Sequence, residues 1–425
     1  MYYKDYSREQ RDAALSQLWK DLDRFKAQGL ALNMARGVPS PDQLSLSLGI
    51  LNVLYAEADC RAEDGTDCRN YGVMDGIPEC KRLLADMLRV KPDMVMIGGN
   101  SSLNMMFDTI ACFMNHPVTP GCPAWALVPD RKFLCPVPGY DRHFGITEYF
   151  GFEMIPVPMD ENGPKMDVVE ELVKDPSVKG MWCVPKYSNP TGVTYSDEVV
   201  RRIAALQPAA PDFRVMWDDA YCIHDLTDEP DQLLNIFEEC EKTGNLDLPI
   251  AFCSTSKITF PGSGVAAMAA CENNMKVIKA KYKYQTIGYD KLNMLRHVRF
   301  FGDLDGMKAH MKKHAEVLRP RFEIVLKKLS EQLDEYGIVR YNHPRGGYFV
   351  SVNVVDGTAK RVVELCKESG VILTDAGATY PYGKDPYDSN IRIAPSFPSL
   401  EDLSTAMDVF CLCARIAALE KLNEA

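Results

Sequence analysis

The sequence predicts an α/β protein, a mainly parallel sheet sandwiched by helices with a smaller α+β lobe beside it. Short, near-continuous apolar runs recur through the middle of the chain: "MVMIGGN", "FLCPVPGY", "FEMIPVP", "KGMWCVP", "FRVMWDDAY" and "PIAFCSTSK". Each meets Gly, Pro, Asn or Asp at its end, as strands buried on both faces do. Helical patterns such as "PECKRLLADMLRV" and "SDEVVRRIAALQ" lie between some of them, and strand–helix alternation implies parallel pairing with both faces covered. After about residue 300 the pattern changes.

The elements follow in order. Residues 51–300 hold the strand–helix alternation and form the larger domain. "MKAHMKKHAEVLRPRFEIVLKKLSEQLDEY" reads as a long amphipathic helix, broken or bent at Pro320. "GIVRYNHPRGGYFVSVNV" reads as a hairpin, a helix starts near Thr358, "NIRIAPSFP" is a strand, and a terminal helix follows. Residues 301–425 with 1–50 thus make the smaller domain.

Composition narrows the function. The chain has 425 residues, 46% hydrophobic and 25% charged, enough for two or three lobes. A net charge of −11 excludes the basic face that nucleic-acid binding requires. No apolar run approaches the roughly 20 residues of a membrane span. The fourteen cysteines are scattered, and "MYYKDYSREQRDAALSQLW" has no apolar signal segment, so the expectation is reduced thiols in a cytoplasmic protein. Cys411 and Cys413, two apart on a helix, read as apolar packing rather than a metal site.

The polar residues that interrupt the apolar runs cluster at strand ends: Asn100, Tyr140, Asn189, Asp218, Tyr221 and Lys257. Open α/β sheets bind ligands there. In "AFCSTSKITFPGSGV" Lys257 is either a solvated turn lysine or a lysine at the edge of an anion site. A lysine becomes a nucleophile when desolvated, or when joined as an imine to a carbonyl cofactor. Pyridoxal phosphate supplies that carbonyl and demands a phosphate cradle, a carboxylate at its ring nitrogen and a donor at its ring hydroxyl. Asn100, Ser101 and Ser102 in "GGNSS" precede a helix whose first N–H groups favour an anion. Ser254, Ser256, Thr259 or Ser263 add hydroxyls. Asp218 in "DDAY" ends a buried strand, where an acid needs a cationic partner. Tyr221 and Asn189 are donors for the ring hydroxyl, and Tyr140 can stack on the ring.

"SNPTG" (188–192), "DDAY" (218–221), "STSK" (254–257) and "NIRIAPS" (390–396), in this order, resemble the fold type I pyridoxal-phosphate aminotransferases of the aspartate aminotransferase superfamily. "NMARGVPSPDQ", "YGVMDGIPE", "PGYDRHF" and "STSKITFPGSG" look closer to a bacterial subgroup labelled MocR-type or type Ic. The resemblance covers nearly the whole chain and implies a seven-stranded, mainly parallel sheet in the large domain. It implies Lys257 as Schiff-base lysine and proton carrier, Asp218 at the pyridinium, Asn189 and Tyr221 at the ring oxygen, Tyr140 as stacking aromatic and Arg392 as clamp for the substrate α-carboxylate. Tyr71 matches a tyrosine that reaches the phosphate in the neighbouring subunit, which implies a homodimer with shared active sites. One departure stands out. Relatives carry a phosphate-binding arginine about eight residues after the lysine, where this chain has Gly264 and Val265; the loop hydroxyls are candidates to replace it.

Other residues leave alternatives open. Asp219 reads as a hydrogen-bonded structural acid. His143 is either packing or support for the site, while His224, His310 and His314 read as surface or helix residues. Arg345 in "RGGYF" reads mainly as part of a hairpin. Arg36 is either a surface salt bridge or the ligand of a second carboxylate, with Lys291 as another distal contact. The expected activity is amino transfer from aspartate or glutamate to a 2-oxo acid, 2-oxoglutarate above all. A pyridoxal-phosphate lyase or decarboxylase, or a cofactor-binding regulator, is the alternative.

Overall fold

The computed structural model describes residues 2–424. Its main sheet runs in the order Val95–Ile97, Ala266–Ala270, Pro249–Ser254, Arg214–Asp218, Val178–Cys183, Lys132–Val137, Glu153–Asp160 and Gly163–Pro164. Seven strands match the expected sheet, and the eighth is a two-residue strand at the edge. The strands from Pro249–Ser254 to Glu153–Asp160 pair in parallel. Ala266–Ala270 runs antiparallel to both of its neighbours. Its connection from the lysine strand is a short loop, too short for the crossover that a parallel strand needs.

Strand residues alternate between two cores, as a period of two requires. Met96, Phe133, Trp182, Met216 and Phe252 pack with Met105 and Phe113 on one face. Val95, Met181, Val215, Trp217 and Cys253 pack with Leu83, Val200 and Leu295 on the other. The alanine strand contributes Ala266 and Ala270 to the first core and Ala267 and Ala269 to the second.

A third core gathers both ends of the chain. Leu18 and Leu22 of the helix Arg8–Lys26 pack with Leu329, Val352, Ile391, Phe410 and Leu419. The strands Arg340–Tyr341, Val350–Asn353 and Asn390–Ile393 form an antiparallel sheet here. The helix Leu304–Leu333 is continuous, with Pro320 inside it, so the expected break is absent. Proline removes one hydrogen bond to the preceding turn, but Leu318, Phe322, Val325 and Leu329 bury one flank of the helix across that gap. Among the described residues no helix is long and apolar enough to cross a membrane. All fourteen cysteines are free.

Candidate active site

Asp218 ends its strand at the carboxyl edge of the sheet. It is 3% exposed, and its Oδ2 lies 3.0 Å from His143 Nε2. Oδ1 is buried with no hydrogen-bond partner among the described residues. His143 is buried and stacks on Trp182, with ring centroids 4.2 Å apart and planes 6° from parallel. Of its two readings, support for the site is the one the geometry gives. Asp219, expected to be hydrogen-bonded, also has an orphaned Oδ1, and burial pushes its pKa up to about 6.

Lys257 follows the next strand. Its Nζ stands 5.1 Å from the ring centroid of Tyr221 and 5.8 Å from that of Tyr348. Desolvation pulls the ammonium pKa below its ordinary value, and the Asp218 charge pulls the other way. Lys257 is half-buried, and the solvated turn-lysine reading does not fit the two aromatic walls around its Nζ. Tyr221 is buried, and desolvation raises its phenol well above the ordinary value.

Two grips hold the lysine loop, and both come from residues that sequence reasoning passed over. The first is the helix Lys291–Phe301. Asn293 Nδ2 donates to the carbonyls of Ser263 and Gly264. His297 Nδ1 faces the Asn293 carbonyl at 2.8 Å; a carbonyl only accepts, so Nδ1 carries the proton. Nε2 then accepts from the Thr259 hydroxyl at 2.9 Å. Burial drops the His297 pKa to about 4, and the ring is neutral. Thr259, offered as a cradle hydroxyl, therefore points into this grip and away from any phosphate.

The second grip starts from the short helix Pro41–Ser45. Ser40 and Gln43 form a capping box, in which Gln43 Oε1 accepts the Ser40 N–H at 3.1 Å. That fixes the amide, so Gln43 Nε2 donates to the Tyr348 hydroxyl at 2.7 Å and to His314 Nδ1 at 3.2 Å. The His314 proton must then sit on Nε2, 3.2 Å from His310 Nε2. His310 Nε2 in turn lies 3.0 Å from the Ile258 carbonyl. His224, His310 and His314 are buried, 3%, 5% and 1% exposed; His310 and His314 lie on the helix Leu304–Leu333, so of their reading as surface or helix residues the helix part holds for these two, and the surface part holds for none of the three. Both His224 nitrogens lack a partner among the described residues. The Gly346–Gly347 pair docks on the loop that holds Tyr221 and His224: Gly346 bridges Asp225, and Gly347 N donates to the His224 carbonyl. A Cβ on Gly346 would meet the Tyr187 ring at 2.2 Å.

The candidate phosphate loops also meet. Ser101 caps the helix Ser102–Asn115 without a side-chain hydrogen bond. Ser254 Oγ donates to Ser256 Oγ, and Ser256 Oγ to the Asn100 carbonyl, each at 3.1 Å. The Asn100 amide is used locally, donating to the carbonyls of Pro261 and Gly262. Where relatives carry an arginine, a Cβ on Gly264 would stand 3.2 Å from Ser256 N and 3.1 Å from Thr255 Oγ1. The guanidinium beside this loop comes from another element: Arg296 Nη2 donates to Ser263 Oγ at 2.9 Å.

Arg392 and Asn189 join through Nη1 and Oδ1 at 3.2 Å, and both are buried. Tyr140 sits edge-on to His143, centroids 5.0 Å apart; burial, then the charges of Asp218 and Asp141, push its pKa up to about 12. Arg36 is exposed, without an ion pair among the described residues, so its salt-bridge reading is absent. Its neighbour Gly37 packs against Phe349, whose ring lies under Arg392. Lys291, read as a distal contact, is buried and donates to the Gly72 carbonyl at 3.0 Å. Tyr71 beside that glycine is 84% exposed. Arg345 pairs with Asp231 and Glu229.

A lysine and an acid stand at the carboxyl edge of a doubly covered sheet, with an arginine from the strand Asn390–Ile393 whose charge reaches the same Tyr221, the arrangement expected of an aminotransferase. The chain matches the aspartate amino-transferase family over residues 7–425 and belongs to that family. An aspartate aminotransferase of Corynebacterium glutamicum is 46% identical over 417 residues, 98% of this chain and 96% of that protein. The crystal structure of an aspartate transaminase from the same organism superposes with a TM-score of 0.96 at 46% identity, covering 99% of each chain. An α-aminoadipate aminotransferase of Thermus thermophilus, complexed with N-(5'-phosphopyridoxyl)-L-leucine, shares the fold at 19% identity, TM-score 0.74 and 95% of each chain.

Proposed function

We propose that this aminotransferase works with pyridoxal 5'-phosphate and moves an amino group from aspartate or glutamate to a 2-oxo acid, 2-oxoglutarate above all. One observation carries the cofactor: Asp218 Oδ1 is a buried, partnerless acceptor whose charge acts on Lys257. A buried carboxylate oxygen in that position asks for a cationic donor, and a protonated pyridine nitrogen is one. The residues present fit the group. The backbone N–H groups at Asn100, Ser101 and Ser102 would hold its phosphate, with Ser254 and Ser256 turning their hydroxyls from their present acceptors to join them. Tyr221 and Asn189 would hold the ring oxygen, and Tyr140 would lie on the ring.

When bound, the cofactor supplies an electron sink for the carbanion formed at the substrate Cα. The chain supplies the rest. Lys257 Nζ, with a lowered pKa, would take the proton from the substrate Cα as a base and, then protonated, deliver it as an acid to the former carbonyl carbon of the cofactor. Arg392 orients the α-carboxylate, and Arg36 receives the side-chain carboxylate of the preferred donors. The aspartate-active relative supports that preference. The exposed Tyr71 suits a homodimer in which it reaches the neighbouring site. Cytoplasmic location fits the free cysteines.

Borohydride treatment of the purified enzyme followed by peptide mapping tests the reading. The reduced cofactor is expected on Lys257, and Lys257→Ala should lose both adduct and transfer. An adduct on another lysine overturns the assignment. Turnover beyond one equivalent without an oxo-acid acceptor would make the enzyme a lyase or decarboxylase instead.

A further inference from the structure

Arg392 stands at the site with a counter-ion already in place. Its Nη1 donates to Asp141 Oδ1 at 2.9 Å as well as to Asn189. Nη2 reaches Thr374 Oγ1 only at 3.4 Å, and Nε is buried with no partner among the described residues. The Phe349 ring, 4.8 Å from the guanidinium carbon, closes one face. A guanidinium grips a carboxylate with two parallel N–H groups along one edge. With Nη1 taken, the edge left is Nε and Nη2.

Asp141 opens the helix Asp141–Tyr149 immediately after Tyr140, where an acid is favoured by the helix dipole. Its side chain is 34% exposed against 7% for Arg392. The acid is therefore the more solvent-accessible partner of the pair.

We propose that Asp141 is a positioning residue for amino transfer. It occupies Nη1, presents the Nε–Nη2 edge to the incoming α-carboxylate, and weakens carboxylate binding by neutralising the guanidinium beforehand. The inference rests on reading Arg392 as the α-carboxylate clamp. It has a kinetic meaning. Binding that is equally strong in ground and transition states lowers KM without raising kcat, and an enzyme whose substrate and product are both 2-carboxylates gains by letting both go.

Asp141→Asn keeps an acceptor for Nη1 and removes the charge. The measurement is the Kd of maleate, a dicarboxylate with no amino group to transfer, by calorimetry on the holoenzyme, beside Arg392→Ala as reference. Asp141→Asn should tighten maleate about two- to fivefold, the scale of a partly exposed ion pair. The gain should persist in about 0.5 M KCl, where diffuse charge effects are screened. KM for amino acid and oxo acid should fall by the same factor, with no rise in kcat. Unchanged or weakened maleate binding overturns the inference, and so does a gain that vanishes in salt. Asp141→Ser makes the same prediction should the asparagine variant fold poorly. If Arg392→Ala leaves maleate binding intact, the clamp reading itself falls, and Asp141 with it. If only Asp141→Asn is silent, the clamp stands without its counter-ion role.

Discussion

His143 Nε2 and Asp218 Oδ2 meet at 3.0 Å in a buried environment, and the second carboxylate oxygen of Asp218 is left free. The imidazole, clamped flat against Trp182, fixes the carboxylate rotamer and with it the direction in which Oδ1 points. His143→Leu removes that support and leaves both oxygens orphaned. Losing such an outer partner typically costs about 10- to 100-fold, so kcat is expected to fall on that scale with KM little changed. Stopped-flow kinetics of the first half-reaction would show it. An unaltered rate would mean that Asp218 is oriented by the fold alone.

Gln43 couples the start of the chain to the lysine loop through two donated hydrogen bonds. Gln43→Leu leaves the Tyr348 hydroxyl and His314 Nδ1 without their donor, each an orphan costing about 1–3 kcal/mol. The melting temperature should drop by at least a few degrees, and hydrogen exchange at Ile258 and Thr259 should quicken. Unchanged exchange there would show that the loop does not depend on this connection.

Acid should loosen both grips. Burial holds His297 and His314 at about 4, against about 6.5 in an unfolded chain. Between those values the unfolded state binds more protons, so stability is complete above about pH 6.5 and declines as pH falls toward 4. Each ring contributes on the order of 3 kcal/mol over the whole window. Denaturant midpoints from pH 7 to 4.5 would follow the decline, which should be shallower in His297→Leu. An equal slope in that variant would place the proton uptake elsewhere.

Most of the sheet could be read from the sequence because its strands are continuous apolar runs with an abrupt polar end, and those ends are the site. Asp218, Tyr221 and Lys257 were legible for that reason. The strand Ala266–Ala270 was not, since five small or flexible residues carry no β-branched signal. The burial of His314 and the role of His297 left no mark in the sequence because their partners are remote: Gln43 meets His314 across 271 residues, and Thr259 meets His297 across 38. Spacing along the chain carries no trace of such pairs. The arginine missing after the lysine is a related case. A Cβ on Gly264 would be tight against Thr255 and Ser256, Val265 beside it is buried and apolar, and the nearby guanidinium of Arg296 arrives from a different helix.

The alanine strand has a mechanical consequence. With only Met268 larger than a methyl group, it is the slimmest strand of the sheet, and it lies between the strand leading to Asn100 and the strand leading to Lys257. Its alanines let the layer on that face lie close against the sheet beside the anion cradle. A single Ala267→Val or Ala269→Leu change would act as a shim under that layer, pushing it away from the sheet.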